Sequence, residues 1–282
     1  MPSNKRFIRF LPIFGCLSTG VVYTGIGVIA MLSLLQLKNG GASANSMMAT
    51  LQNFTGGSII IGAILLGMLS YILWRIYESI KDPYHYGKTW TGLTRRTGIA
   101  LSSFADAFIG YSAFTVLLGS RAVSENGSPQ HQQKVIGSVL DSSMGKELII
   151  ALGVAIAVTA GVQFFYGITR GYRERLDIAK IDITKKKAIF VLGFTGYIAR
   201  GIIIGIMAFF IFKAGFTGNA EYAVNTDKAF DFIGDNIGKL AFSVVAIGTI
   251  FYGLFMFALG ITYDVNNDPS DPHYHSSSTQ ET

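Results

Sequence analysis

Long apolar runs dominate this sequence and constrain its fold more than any other feature. Six stretches of about 20 residues or more carry almost no charge, at residues 10–36, 57–80, 97–119, 147–169, 189–213 and 239–263. A helix of about 20 residues spans the hydrocarbon core of a bilayer. Only 14% of the residues are charged, against about 25% in soluble domains. The sequence therefore predicts an all-α integral membrane protein with six transmembrane helices.

The first apolar run follows a basic cluster at residues 5–9 and contains Gly15-Cys16, a combination that also occurs in cleaved signal peptides. It continues to Leu35, whereas a signal peptide has a shorter apolar core and then turns polar. We therefore interpret the first run as a retained span.

Lysine and arginine residues are distributed unevenly between the two sides of the predicted bundle. The N-terminus and the loops after the second and fourth spans hold 15 of them, and the alternate loops hold seven. Cytoplasmic loops are enriched in these residues, so we expect both termini in the cytoplasm. The net charge of +6 follows from this topology, and no nucleic-acid partner is expected.

The apolar runs also repeat in pairs. The shared spacings are Gly15 and Gly20, Gly98 and Ser103, and Gly196 and Gly201 in the odd spans, with Gly57, Gly67 and Tyr71 matching Gly238, Gly248 and Tyr252 in the even spans. Two spans return the chain to its starting side, so the copies are parallel. This pattern predicts three two-helix repeats related by a pseudo-threefold axis along the membrane normal.

The repeats divide the chain into five segments. They are a cytoplasmic N-terminus (1–9), repeat one (10–82), repeat two (91–176), repeat three (187–265) and a disordered cytoplasmic tail (266–282). The single cysteine, Cys16, and four histidines outside the apolar runs favour neither a disulfide framework nor a membrane-embedded haem. Common metal, nucleophile and nucleotide motifs are missing from the sequence, so we predict no cofactor and no enzymatic activity.

Several motifs carry a resemblance to a known family. They are Tyr71-Ile72-Leu73-Trp74-Arg75, then Asp82-Pro83, Gly87, Arg95-Arg96 and Gly98, and finally Gly196-Tyr197-Ile198-Ala199-Arg200-Gly201. Together with the repeat, these segments resemble the bacterial membrane proteins of domain-of-unknown-function family 1206, which are built from three tandem two-helix repeats. The resemblance covers residues 10–265 and implies six spans in a bacterial inner (plasma) membrane. It implies no activity, cofactor or catalytic residue.

Asp106 and Arg200 are charged residues inside predicted spans. A charge at mid-bilayer costs at least about 2.5 to 3.5 kcal/mol, so each is expected to face a partner or a polar cavity. Counted from Gly98 and Gly196, their depths differ by about 6 Å. Three interpretations stay open: a buried ion pair or separate hydrogen bonds that lock repeats two and three together, a polar cavity for a proton, anion or lipid headgroup, and an Arg200 that extends to the interface.

Other residues are candidates for surface roles. Aromatic and basic residues at the cytoplasmic exits favour interfacial anchoring or binding of an anionic lipid; they are Trp74, Arg75, Arg95, Arg96, Arg170 and Arg173. Gly201 and Gly205 allow close helix packing, either inside the monomer or at a dimer face. The outer loops 38–56, 119–146 and 214–238 are expected to form short helices on the outer face, and these would offer a docking surface.

These features together predict a non-enzymatic accessory or scaffold subunit. Its expected partners are membrane lipids and another membrane or periplasmic protein, and a homo-oligomer stays open. The alternative is a channel or transporter for a small ion or solute, with a polar path near Asp106 and Arg200.

Overall fold

The structure, a computed structural model, describes residues 3–37, 41–82, 87–118, 130–176 and 182–262. The described chain is all-α, as predicted. Its α-helices are α1 (Ser3–Leu34), α2 (Ala44–Gln52), α3 (Gly57–Lys81), α4 (Trp90–Leu117), α5 (Gln130–Leu140), α6 (Gly145–Thr169), α7 (Ile183–Thr217), α8 (Thr226–Asn236) and α9 (Lys239–Ile261). Short 3-10 helices follow α6 and α7, at Gly171–Arg175 and Ala220–Tyr222.

Five of the described helices are long and apolar enough to cross a bilayer. They are α1, over Phe10–Leu34, together with α3, α6, α7 and α9. The predicted third span corresponds to α4, a helix of 28 residues that is not among these five. The prediction of membrane-spanning helices is therefore confirmed for five segments, and the crossing by α4 stays a prediction.

The six long helices pack in a cyclic order. Helix α1 packs on α3, α3 on α4, α4 on α6, α6 on α7, α7 on α9, and α9 returns to α1. Each contact between repeats thus joins the second long helix of one repeat to the first long helix of the next. Among the described residues, α4 and α6 contact over only a short stretch, which includes Gly98 and Val162.

Repeats one and three share one internal register. Gly15 lies against the side chain of Tyr71, and Gly196 lies against the backbone of Tyr252. Gly67 and Gly248 contact the first helix of their own repeats in the same way. These pairs keep the same separation along the sequence, so the two long helices of each repeat meet in the same register at these contacts.

The contact of α9 with α1 reproduces the contact of α6 with α7. In the α9–α1 contact, Gly260 lies against Cys16, Phe257 against Gly20 and Gly253 against Thr24. In the α6–α7 contact, the equivalent pairs are Gly167 with Tyr197, Phe164 with Gly201 and Ala160 with Gly205. A Cβ added to Gly260 or to Gly167 would lie 3.2 Å from the Cβ of its partner residue. Small residues therefore bring the helices close, as packing within a membrane requires. Gly201 and Gly205 both lie against α6 of the same chain.

The short helices α2 and α8 lie in the loops that connect the two long helices of repeats one and three. Each begins with a capped first turn, in which Ser43 Oγ accepts from the Ser46 amide at 3.2 Å and Asn225 Oδ1 accepts from the Lys228 amide at 3.1 Å. Met48 of α2 and Phe230 of α8 are fully buried. The two helices differ from the predicted surface helices, because their apolar sides complete the core of the bundle.

Candidate functional site

Arg200 is the central residue of α7 and lies inside the bundle, with 3% of its surface exposed. Its guanidinium carbon lies 4.9 Å from the ring centroid of Tyr23 on α1 and 4.9 Å from that of Tyr252 on α9. Nη1 also donates a hydrogen bond to the Tyr252 hydroxyl. A desolvated cation over an aromatic ring is stabilised by about 2 kcal/mol or more. Arg200 therefore links repeat three to repeat one through aromatic rings.

The rings around Arg200 belong to a larger group, here called the tyrosine cluster: Tyr23, Tyr166, Tyr172, Tyr197 and Tyr252. The Tyr23 and Tyr252 rings meet edge to face with centroids 4.9 Å apart, and Tyr252 meets Tyr197 in the same way at 5.4 Å. Tyr197 stacks on Tyr172 at 5.5 Å with an interplanar angle of 3°. Such contacts add about 0.5–1.5 kcal/mol per pair. The cluster takes residues from all three repeats and joins them near Arg200.

Tyr172 enters the cluster because the chain turns back after α6. Arg170 has a left-handed backbone with φ 55° and ends α6, and the 3-10 helix Gly171–Arg175 then points Tyr172 inward. Tyr172 is fully buried, and its hydroxyl donates to the Phe190 carbonyl at 2.9 Å. Gly193 leaves room for the ring, since a Cβ there would lie 2.7 Å from Cζ of Tyr172. Burial raises the pKa of Tyr172, and the nearby cations Arg170 and Arg173 oppose that shift.

A second buried arginine contacts a tyrosine in repeat one. Nη2 of Arg75 donates to the Tyr71 hydroxyl at 2.7 Å, and its guanidinium carbon lies 4.8 Å from the centroid of the same ring. Glu78, one turn further along α3, is also fully buried. Tyr71 is the counterpart of Tyr252 in the repeat. Both tyrosines therefore accept a hydrogen bond from a buried arginine.

Asp106 lies in α4, but its side chain falls outside the described residues. Helix α4 packs on α3 and α6, whereas the contacts described above bring Arg200 to α1 and α9. The pairing of Asp106 with Arg200 therefore stays a prediction.

Three of the candidate interfacial residues make packing or hydrogen-bond contacts near the end of α3. Trp74 and Arg75 are buried, which favours packing over contact with a lipid headgroup. Nε of Arg96 donates to the Ser79 carbonyl at 2.7 Å, and Nη2 donates to the Ile80 carbonyl at 3.0 Å. Arg96 thus satisfies carbonyls in the last turn of α3, where a cation also complements the helix dipole.

The remaining basic candidates lie at the exit of α6 and the entry of α4. Arg170 and Arg173 are exposed, and the guanidinium carbon of Arg173 lies 4.4 Å from the ring centroid of Phe190. The Arg95 side chain lies outside the described residues. Arg170 and Arg173 keep their interpretation as interfacial residues, which the structure leaves as a prediction.

Asp227 forms a second contact between repeats one and three, at the ends that carry α2 and α8. It lies in the first turn of α8, is buried, and accepts a hydrogen bond from the backbone N–H of Ala42, which precedes α2. Desolvation raises the pKa of Asp227 to about 6, the nearby Asp231 carboxylate adds to the shift, and the Ala42 N–H and Lys228 oppose it. A carboxylate that titrates near neutral pH thus lies between two repeats.

Sequence reasoning located Arg200 but missed its aromatic partners and Asp227. The repeated spacing of Tyr71 and Tyr252 was a signal for the tyrosines, because it marks a ring in the same place in two repeats. Asp227 had a weaker signal, an acidic residue in the first turn of an amphipathic helix after an asparagine cap.

Five apolar helices of bilayer length, together with a charged side chain enclosed inside the bundle, define a multi-pass α-helical membrane protein. The family model described as Domain of Unknown Function (DUF1206) matches residues 14–82 and 195–263. These two matched regions correspond to repeats one and three, so the resemblance to this family and the repeat between the two regions are confirmed. Repeat two, residues 91–176, lies outside both matched regions.

A relative of similar length accompanies the family match. The chain is 28% identical over 266 residues to the uncharacterized protein YxxB of Bacillus subtilis (strain 168), an alignment that covers 92% of this chain and 91% of the relative. No solved structure matches this chain significantly.

Proposed function

We propose that the protein is a non-enzymatic accessory or scaffold subunit of a bacterial plasma membrane, which binds lipids and a partner protein. The observation that carries this proposal is the enclosure of Arg200 by Tyr23 and Tyr252. An ionisable side chain at the centre of a span is costly, and here its contacts join two repeats. That arrangement favours a rigid support.

The proposed architecture has six spans in three repeats around a pseudo-threefold axis, with both termini in the cytoplasm. It is supported by the cyclic order of the long helices and by the matching registers of the α9–α1 and α6–α7 contacts. Helix α4 would be the sixth span, because it packs alongside two helices of bilayer length, α3 and α6.

Tight contacts between repeats support a scaffold over a moving transporter. A Cβ on Gly253 would lie 2.5 Å from the Thr24 nitrogen and 2.8 Å from the Gly20 carbonyl oxygen. Many transporters work by moving one repeat against another. Backbones packed this closely, and a cation held between rings of two repeats, oppose such movement.

The proposal is tested by native mass spectrometry of the full chain extracted gently from its own membrane. We expect a stoichiometric second polypeptide together with retained lipid. A chain recovered repeatedly without a polypeptide and without lipid would contradict the proposal. Deletion of the outer loops is unsuitable here, because Met48 and Phe230 are core residues.

Surface substitutions locate the partner more cleanly. Phe54, Met144 and Ile237 lie at the outer turns before α3, α6 and α9, one in each repeat, and all are well exposed. The triple change to serine should lower partner recovery while thermal stability is retained. Serine at Leu73 and Ile80, exposed on α3, serves as the control for a loss of apolar surface. Equal recovery in both variants would place the partner elsewhere.

The second candidate function is a channel or transporter for a small ion or solute. The central position of Arg200 in α7 favours it, since intramembrane ionisable residues often lie on ion or proton pathways. This candidate predicts that Asp106→Asn changes flux in liposomes without a change in thermal stability. Unchanged flux, or loss of folding alone, would return Asp106 to a structural role.

A further inference from the structure

An open groove runs along α7 near its outer end. Its volume is about 510 Å³, and it is lined by Phe209, Phe212, Lys213, Phe216 and Thr217. These residues recur every three to four positions, so they form one face of the helix. The rings of Phe209 and Phe216 are more than half exposed. The groove surface is thus almost wholly apolar, and Lys213 is the residue of its lining that carries a charge.

Lys213 is held in place at this groove by an aromatic neighbour. Its Nζ lies 4.0 Å from the centroid of the Tyr222 ring, in the 3-10 helix that follows α7. Nε2 of Gln133 on α5 donates to the carbonyls of Glu221 and Ala223 at 2.8 and 3.3 Å, on either side of Tyr222. The ring, and with it the ammonium group, is therefore fixed against repeat two.

Charged side chains of both signs lie near the groove. Lys213 is the charged member of the lining. A second cation, Lys146 at the start of α6, lies beside Gly218, where a Cβ would be 2.9 Å from its Cε. The carboxylate of Glu221, on the neighbouring 3-10 helix, accepts from Asn219 at 3.4 Å.

We propose that the groove binds an anionic phospholipid, with its phosphate on Lys213 and an acyl chain along Phe209 and Phe212. This inference deepens the proposed function, because it names the lipid class and its site. The acyl chain would lie one turn deeper in the bilayer than the ammonium group. The long apolar stem of Lys213 and the Tyr222 ring suit the headgroup zone at the end of a span, where side chains with an apolar body and a polar tip lie.

The test is native mass spectrometry of the purified, delipidated full chain titrated with phosphatidylglycerol or with phosphatidylcholine of the same acyl chains. The unsubstituted chain should retain phosphatidylglycerol preferentially. Lys213→Gln should weaken phosphatidylglycerol binding about fivefold, as expected for the loss of one hydrogen bond to the lipid phosphate. Lys239→Gln, an exposed lysine at the start of α9, is the matched control and should leave binding unchanged.

A second variant tests the acyl contact. Phe209→Ala removes an exposed ring, so the fold should persist, and binding of both lipids should weaken together. Equal affinity of the unsubstituted chain for the two lipids, or no effect of Lys213→Gln, would overturn the site. The native mass spectrometry of the gently extracted chain measures the partner polypeptide and the total bound lipid. Its result does not depend on the Lys213 groove, so this lipid site can be disproved while the scaffold proposal still holds.

Discussion

Tyr71 and Tyr252 occupy the same position in two repeats, and each hydroxyl accepts a hydrogen bond from a buried arginine. In repeat one the donor is Arg75, one turn along the same helix. In repeat three the donor is Arg200, on the neighbouring helix α7. The equivalent hydroxyl therefore accepts a hydrogen bond within one helix in repeat one and between two helices in repeat three.

Removal of the Tyr252 hydroxyl should destabilise the bundle. In Tyr252→Phe the ring contacts with Tyr23 and Tyr197 are retained, but Arg200 loses a hydrogen-bond acceptor in a buried site. We expect a loss of about 1–3 kcal/mol in the free energy of unfolding, measured by denaturant titration in detergent. Tyr77→Phe, at a partly exposed position on α3, is the control and should change stability by less than about 0.5 kcal/mol. Equal losses in the two variants would contradict this role of the hydroxyl.

Alanine at Gly253 should disrupt the α9–α1 contact. The new methyl group would meet the backbone of Thr24 and Gly20, and backbone cannot move aside as a flexible side chain can. We expect the free energy of unfolding to fall by about 1–3 kcal/mol. The measurement is a lower thermal unfolding midpoint.

Gly161→Ala is the matched control for that substitution. Gly161 lies within α6 and has no atom within 4 Å of an added Cβ. Alanine is favoured over glycine inside a helix by about 1 kcal/mol, so this variant should be neutral or slightly more stable. A loss as large as that of Gly253→Ala would show that glycine content matters here and contact geometry does not.

Stability should depend on pH through Asp227. Its pKa is about 6 in the folded state, against about 4 for an ordinary aspartate. Between these values the folded chain binds a proton that the unfolded chain does not, so the contribution of this group to stability falls as the pH rises through about 6. The full effect is of the order of 2 to 3 kcal/mol.

The measurement is the thermal midpoint of the chain between pH 4 and pH 7.5. The unsubstituted chain should lose stability as the pH rises from about 4 to about 6 and then level off, and Asp227→Asn should remove this decline. Asp141→Asn, at an exposed position in the turn after α5, should leave the slope in place. A slope that persists in Asp227→Asn would assign the titration to another group.

The crossing of the membrane by α4 can be measured with introduced cysteines. The native Cys16 is buried and should stay silent. Lys88→Cys precedes α4 and Lys134→Cys follows it, both at exposed positions. With an impermeant maleimide on intact cells, Lys134→Cys should react, and Lys88→Cys should react only after permeabilisation. Reaction of both sites from one side would reduce the number of spans to five.

The long helices and their repetition could be predicted because a bilayer imposes simple demands. Each crossing needs about 20 apolar residues, and a repeated unit leaves glycines at fixed spacings. Arg200 was found for the same reason, since a charge inside an apolar run has few explanations. Its partners Tyr23 and Tyr252 lie on α1 and α9, and their approach depends on the register between helices.

Other residues were harder to interpret because local sequence does not determine depth. Trp74 and Arg75 have the composition of an interfacial pair, yet α3 continues to Lys81 and packing buries both. Met48 and Phe230 lie in loops that look polar overall, and only the folded chain turns them inward. Asp227 is one of several acidic residues in its segment, and its partner is a backbone amide far away in sequence.

The closing contact between α9 and α1 has a consequence for how the chain is made. During synthesis α1 enters the membrane first, and its Gly20 and Thr24 surface has no neighbour from repeat three until the last helix is complete. The earliest segment must therefore remain available while about two hundred residues follow it. The last turn of α9 lies against α1, with Gly260 beside Cys16, so the first and last long helices finish as neighbours.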